Sequence, residues 1–203
     1  MPGDHIEAEL AALLSETPLR LDLLAKRLDG ASHDERVRFV RSVGRSGQRR
    51  LWEAAAGFAP LALVDLVPPS CPDGATVRHH GKNTLPAFTH FEKRFCRPVG
   101  QDPQRPRALF GFNFQTLSWL TGPGYYVAHV DPARPEVLID YRELPTAKPA
   151  GWPPLRRNEV GAARLVYGFM VDRLRRVSEH VTIGSAARNG RELGSWFLLT
   201  RED

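Results

Sequence analysis

The spacing of apolar residues shifts from a helical period near the N-terminus to an alternating one further on. In residues 1–58 the apolar positions recur three and four apart. Asp4 with Glu7 makes a capping-box pattern, and Ile6, Leu10, Leu13 and Leu14 continue on one helical face. Thr17-Pro18 predicts a second start with proline at the first helical position. Leu21, Leu24 and Leu28 continue it until Asp29-Gly30. Ser32 with Glu35 opens a third helix carrying Val37, Val40 and Val43, which stops near Gly44. Ser46 predicts the cap of a fourth, running through Leu51, Ala55 and Phe58. These segments make residues 1–60 a helical N-terminal region. It can bury a small core of its own or lie as a layer on the C-terminal part of the chain.

Leu61 to Val67 is a continuous apolar run, and the prolines, aspartate and glycine from Pro68 to Gly74 mark a connection. Residues 75–203 then read as an antiparallel α+β domain. Val77 to His80 predicts a short strand and Gly81-Lys82-Asn83 a turn. From Thr84 to Cys96, Phe88, Phe91 and Phe95 sit at helical spacing behind a threonine cap. That pattern favours a helix over a strand with a bulge. Ala108 to Thr121 predicts a long strand bent near Gln115. Phe110, Phe112 and Phe114 share one face, and Leu117 and Trp119 have the other parity. Tyr125 to Asp131 and Val137 to Tyr141 alternate as further strands. Four prolines make Leu144 to Pro154 a loop. Asn158 to Val177 predicts a long helix with the stripe Val160, Ala163, Tyr167, Met170, Leu174 and Val177. Val181 to Ala187 and Ser195 to Thr200 form a closing hairpin, turned by Asn189-Gly190 in a type I′ conformation. The expected fold is α+β: an N-terminal helical layer, then a curved antiparallel sheet or partly open β-barrel. The long C-terminal helix packs on that sheet and the last hairpin closes it.

Composition narrows the classes. With 203 residues, 42% apolar and 25% charged, the chain is an ordinary globular one. No apolar run is long enough to span a bilayer, and membrane association is not expected. The first ten residues carry acids where a signal peptide has a basic region and an apolar core. The expected location is therefore cytoplasmic, with Cys71 and Cys96 reduced.

The net charge of +5 permits an acidic partner without demanding one. Arg38, Arg41, Arg45 and Arg49 recur at helical spacing, but Gly44 and Gly47 interrupt them. Residues 1–58 hold nine Lys/Arg and nine Asp/Glu. With no interleaved aromatics, nucleic-acid binding is disfavoured. The cluster from Arg78 to Arg107 carries the excess of positive charge; ringing a pocket mouth, it would favour an anionic guest.

The strongest candidate chemistry lies in the aromatic run from Phe110 to Tyr126. Phe112, Phe114, Trp119, Tyr125 and Tyr126 can wall a pocket for an oily or amphipathic molecule between sheet and helix, with His129 and Arg142 or Gln115 as the polar anchor and Asn113 on the same strands able to orient a polar end. The competing reading is that the same rings are plain core. His129 and Asp140 lie on strands expected to be neighbours and could serve an enzyme in that pocket as an acid–base pair. His79 and His80 are adjacent and point to opposite faces, and no metal-ligand spacing occurs, so no metal site is assigned. Cations around Cys96 could lower its pKa, against the simpler reading of a half-buried thiol. No nucleophile elbow or phosphate-binding loop is present, and the sequence names no cofactor. The favoured function is binding of a small hydrophobic or amphipathic ligand, with an anionic end allowed. An exposed edge of such a sheet would support a homodimer.

Overall fold

The computed structural model describes residues 2–86, 89–115, 122–158, 164 and 167–203. Its centre is a closed antiparallel barrel of eight strands in sequence order. They are β1 (Val77–Asn83), β2 (His90–Cys96), β3 (Leu109–Phe114), β4 (Tyr125–Val130), β5 (Val137–Asp140), β6 (Val171–Arg176), β7 (Val181–Arg188) and β8 (Arg191–Arg201). Each pairs with its sequence neighbours, and β1 pairs with β8 to close the ring, with His79 opposite Arg201 and Asn83 opposite Phe197. Among the described residues the ring leaves no strand with a free edge.

Two-residue alternation sorts the strand side chains into an inner and an outer set. Phe95, Leu109, Tyr126, Ala128, Val137, Ile139, Tyr141, Leu174, Phe197 and Leu199 form the interior cluster. Such a barrel is just wide enough for side chains or one small ligand. Glycines make room for the largest rings. A Cβ on Gly111 would stand 2.3 Å from the Tyr126 ring, and one on Gly184 2.2 Å from the Phe197 ring.

One end of the barrel is plugged. The apolar run Leu61 to Val67 contains a single helical turn, α5 (Leu63–Leu66), whose leucines join the interior cluster. His79 Nε2 donates to the Leu66 carbonyl at 2.9 Å, Arg201 to the Asp65 carbonyl at 2.5 Å, and Arg176 pairs with the Asp65 carboxylate.

The N-terminal segments form α1 (Pro2–Ser15), α2 (Leu21–Asp29), α3 (His33–Ser42) and α4 (Arg45–Ala54). Ser32 and Glu35 make the expected reciprocal capping box. Pro18 lies before its helix rather than inside it, because α2 starts at Leu21. Gly44, not Ser46, caps α4. The helices share one apolar cluster with the barrel's outer face. Leu10, Leu24, Leu28, Phe39, Val40, Leu51 and Trp52 pack with Val177, Val181, Ile183 and Leu198.

Two expected helices are strands. His90–Cys96 is β2, since Phe91 and Phe95 alternate inward with Lys93 while Glu92 and Arg94 face out. β1 runs through the residues expected to turn at Gly81 to Asn83. The long C-terminal helix is not formed across its second half, where Val171–Arg176 is β6, paired with β5 and β7. Leu174 and Asp172 point inward and Arg173 and Arg175 outward, a period the helical stripe of Met170, Leu174 and Val177 concealed. Gly168 and the positive φ of Phe169 (61°) turn the chain into that strand. Residues 159–163, 165 and 166 of the expected helix lie outside the described residues. The closing hairpin is present. Asn189 and Gly190 have φ of 51° and 76°, as a type I′ turn requires.

Candidate functional site

The end opposite the plug opens into a cavity of about 350 Å³. Its apolar walls include Phe91, Tyr141, Tyr167, Met170, Leu193 and Phe197. Tyr141 and Tyr167 stack at 5.4 Å and 16°, and Gln115 Nε2 donates to the Tyr167 hydroxyl at 3.1 Å.

At the inner end stands Lys93, only 1% exposed. Its inward position on β2 puts its amine among four rings. Nζ lies 4.9 Å from the centres of Tyr126 and Tyr141, 5.0 Å from Phe197 and 5.9 Å from Phe91. It donates to Asn113 Oδ1 at 3.0 Å and to the Tyr141 hydroxyl, and it lies 3.5 Å from Asp172 Oδ2. Tyr141 donates onward to Asp172 Oδ2 at 3.2 Å and accepts from Asn113 Nδ2 at 2.9 Å. Strands β2, β3, β5 and β6, with Tyr141 just past the end of β5, thus converge on one polar knot inside an apolar wall. Asp172 is 3% exposed, lines the cavity, and its Oδ1 has no hydrogen-bond partner among the described residues.

Desolvation dominates the electrostatics of the knot. Burial lowers the Lys93 ammonium to about 8, against the opposing pull of Asp172. Burial raises the Asp172 carboxyl above its ordinary range, although Lys93 and Tyr141 oppose that rise. The Tyr141 phenol is raised well above its usual value, first by burial and then by the Asp172 charge, so it stays a donor.

The residues singled out in the sequence divide between the two faces of the barrel. Gln115 lines the cavity, and Tyr126 is wholly buried beneath it with its hydroxyl donating to the Arg94 carbonyl. Phe112 and Tyr125 face outward under Trp152, in a separate cluster with Cys96. Tyr125 donates to the Pro153 carbonyl at 2.6 Å, so the proline-rich loop is the cover of that outer face. Phe114 is outward and 44% exposed, with the Arg94 guanidinium 4.0 Å above its ring. Trp119 lies outside the described residues.

His129 and Asp140 are both on the outer face and do not meet. His129 lies opposite Leu138 and Asp140 opposite Val127. His129 Nε2 contacts Glu143 at 3.2 Å, while Asp140 binds the Arg142 guanidinium in a fork at 2.6 and 2.9 Å. The acid–base pair in the pocket therefore has no geometric basis, and Arg142 is turned to Asp140 rather than to the cavity. Burial pushes the Cys96 thiol up to about 12, which overrides the neighbouring cations.

Lys93, Asn113, Tyr141 and Asp172 were not grouped by sequence reasoning. Their signal is a polar residue at the inward parity of an apolar strand. That parity could not be assigned while β2 and β6 were read as helices. Of the basic cluster from Arg78 to Arg107, only Lys93 lines the cavity; Arg188 joins it from β7. Among the described residues no group of three His, Cys, Asp or Glu is arranged to hold a metal, and no helix is long and apolar enough to cross a membrane. Compared with models of protein families, with curated proteins and with solved structures, the chain matches none.

Proposed function

We propose that the barrel is a receptacle for one small, mostly apolar molecule that enters by the open mouth and sets a polar end against Lys93. The observation that carries this reading is the buried Lys93 knot at the inner end of an open aromatic cavity. A purely structural interior would avoid the desolvation cost of an ammonium and a carboxylate. Ligand sites combine apolar walls with a few convergent polar groups, and about 350 Å³ falls at the small end of their range. Among the described residues the lining includes the cations Lys93 and Arg188 and the carboxylate of Asp172. A neutral or singly anionic guest fits a lining of that kind.

The test uses 1-anilinonaphthalene-8-sulfonate, an apolar dye with one negative charge, followed by its fluorescence. One dye should bind per chain and saturate. Ala186 lines the cavity, so Ala186→Phe should fill it and weaken binding by about tenfold or more, which is about 1.4 kcal/mol. Equal binding to the filled variant would place the dye elsewhere and end this reading.

A further inference from the structure

We propose that Lys93 is a covalent anchor: its Nζ condenses with the carbonyl carbon of an aldehyde or ketone guest to form an imine. The proposal rests on the receptacle reading and names the substrate class for it.

The choice of residue is the first argument. The chain has four lysines, Lys26, Lys82, Lys93 and Lys148, against twenty-four arginines. At an inward position facing Asp172 it carries a lysine. An arginine would pair a buried carboxylate with a better fork and never release its proton. Lysine is the cation that can become a nucleophile when an apolar pocket desolvates it.

The second argument is geometry. Nζ faces three acceptors, so losing one proton leaves one lone pair and keeps two bonds that hold the amine in place. Asp172 Oδ2, 3.5 Å away, is positioned to take that proton, and the unpartnered Oδ1 offers an acceptor to a guest hydroxyl. Burial disfavours both charges of the pair, so it promotes the proton's passage from Lys93 to Asp172. The stacked Tyr141 and Tyr167 present flat walls to a conjugated guest.

The step balances without any oxidant or reductant. The Lys93 ammonium gives one proton to the Asp172 carboxylate. The freed lone pair attacks the carbonyl carbon, a C–N bond forms, and the C=O π pair moves to oxygen. That oxygen takes a proton from the attached nitrogen. The Asp172 carboxyl then protonates the resulting hydroxyl, water leaves, and the nitrogen pair closes the C=N bond. The product is a protonated imine beside the Asp172 carboxylate.

The full-length protein is incubated with cinnamaldehyde at pH 8 and reduced with cyanoborohydride, and the adduct is located by peptide mass mapping. Lys93 should label about tenfold faster or more than Lys26, Lys82 or Lys148, the gain expected of a held reactant. Cinnamyl alcohol, which has the same body and no carbonyl, should slow that labelling, and its own binding is followed by calorimetry. If the alcohol binds and Lys93 labels no faster than the other lysines, the imine is overturned while the receptacle stands. If the alcohol does not bind and no labelling occurs at Lys93, the receptacle reading fails for this class and the imine with it. Lys93→Gln combined with Asp172→Asn, which removes both buried charges together, should bind the alcohol yet show no adduct in the barrel.

Discussion

A buried ammonium facing a buried carboxylate is the residue-scale fact on which this molecule turns. Lys93 and Asp172 are 1% and 3% exposed, so neither can recover its charge through water. Removing one partner leaves the other charge without compensation, which typically costs about 3–5 kcal/mol. Replacing both by apolar groups is often close to neutral, since the desolvation cost disappears with the pair. Lys93→Met alone should therefore strongly destabilise the fold in urea titration. Adding Asp172→Leu to that variant should recover most of the loss. Additive destabilisation by the two changes would mean that the pair is not energetically coupled in the folded chain. At this scale the sequence was only partly readable. The rings from Phe110 to Tyr126 were visible as a cluster, but which of them faced inward depended on strand parity. Phe112 and Tyr125 went to the outer face, and Tyr126 went inside because Gly111 leaves space for its ring.

Elements were legible where capping or turn chemistry is local. Ser32 with Glu35 marked α3, and Asn189-Gly190 marked the β7–β8 turn, because each signal is completed within a few residues. β2 and β6 were misread because Phe91 and Phe95, or Met170 and Leu174, are four apart and fit both an inward strand parity and a helical face. Closure of the barrel depends on β1 pairing with β8, a contact between distant segments that no local pattern announces. The plug α5 was equally hidden, since four residues give no period to read. His79 is the titratable link between that plug and β1. Burial lowers its imidazole to about 3, partly opposed by the hydrogen bond to Leu66 and assisted by Arg201. In the unfolded chain the same group titrates near 6.5. Between those values the unfolded state binds the extra proton, so stability falls as pH drops from about 6.5 towards 3. The slope from this one group reaches about 1.4 kcal/mol per pH unit. Urea midpoints measured across that window should fall less steeply in His79→Gln than in the wild-type chain, even though the variant starts less stable at neutral pH. Parallel profiles would show that His79 is not held neutral in the fold.

At the scale of the whole molecule, the barrel is complete in hydrogen bonds but not in its outer surface. Every strand is paired on both sides, yet Val177, Val181, Ile183 and Leu198 face outward into the helical layer. Polar ties cross the same seam. Gln48 Nε2 donates to the Lys82 carbonyl at 3.1 Å and Arg45 to the Gly194 carbonyl at 2.6 Å. Arg175 lies 3.6 Å above the Trp52 ring and donates to its carbonyl at 2.7 Å. The arginines that looked like a cationic stripe are partly spent here and in pairs such as Arg38 with Glu7. Residues 61–203 alone keep the plug and all eight strands, and with them the cavity, but expose that apolar face. Contiguous apolar surface of this kind drives association. The truncated chain should therefore leave size-exclusion chromatography with light scattering as oligomers or aggregate, and the full chain as a single species. Threonine at Val181, Ile183 and Leu198 keeps strand propensity and makes the bared face polar. These substitutions should return the truncated chain to a monomer that still binds the anionic dye. A truncated chain that is monomeric and dye-competent without them would show that the helices only cover the barrel. A substituted chain that stays unfolded would show that the helices hold the barrel closed.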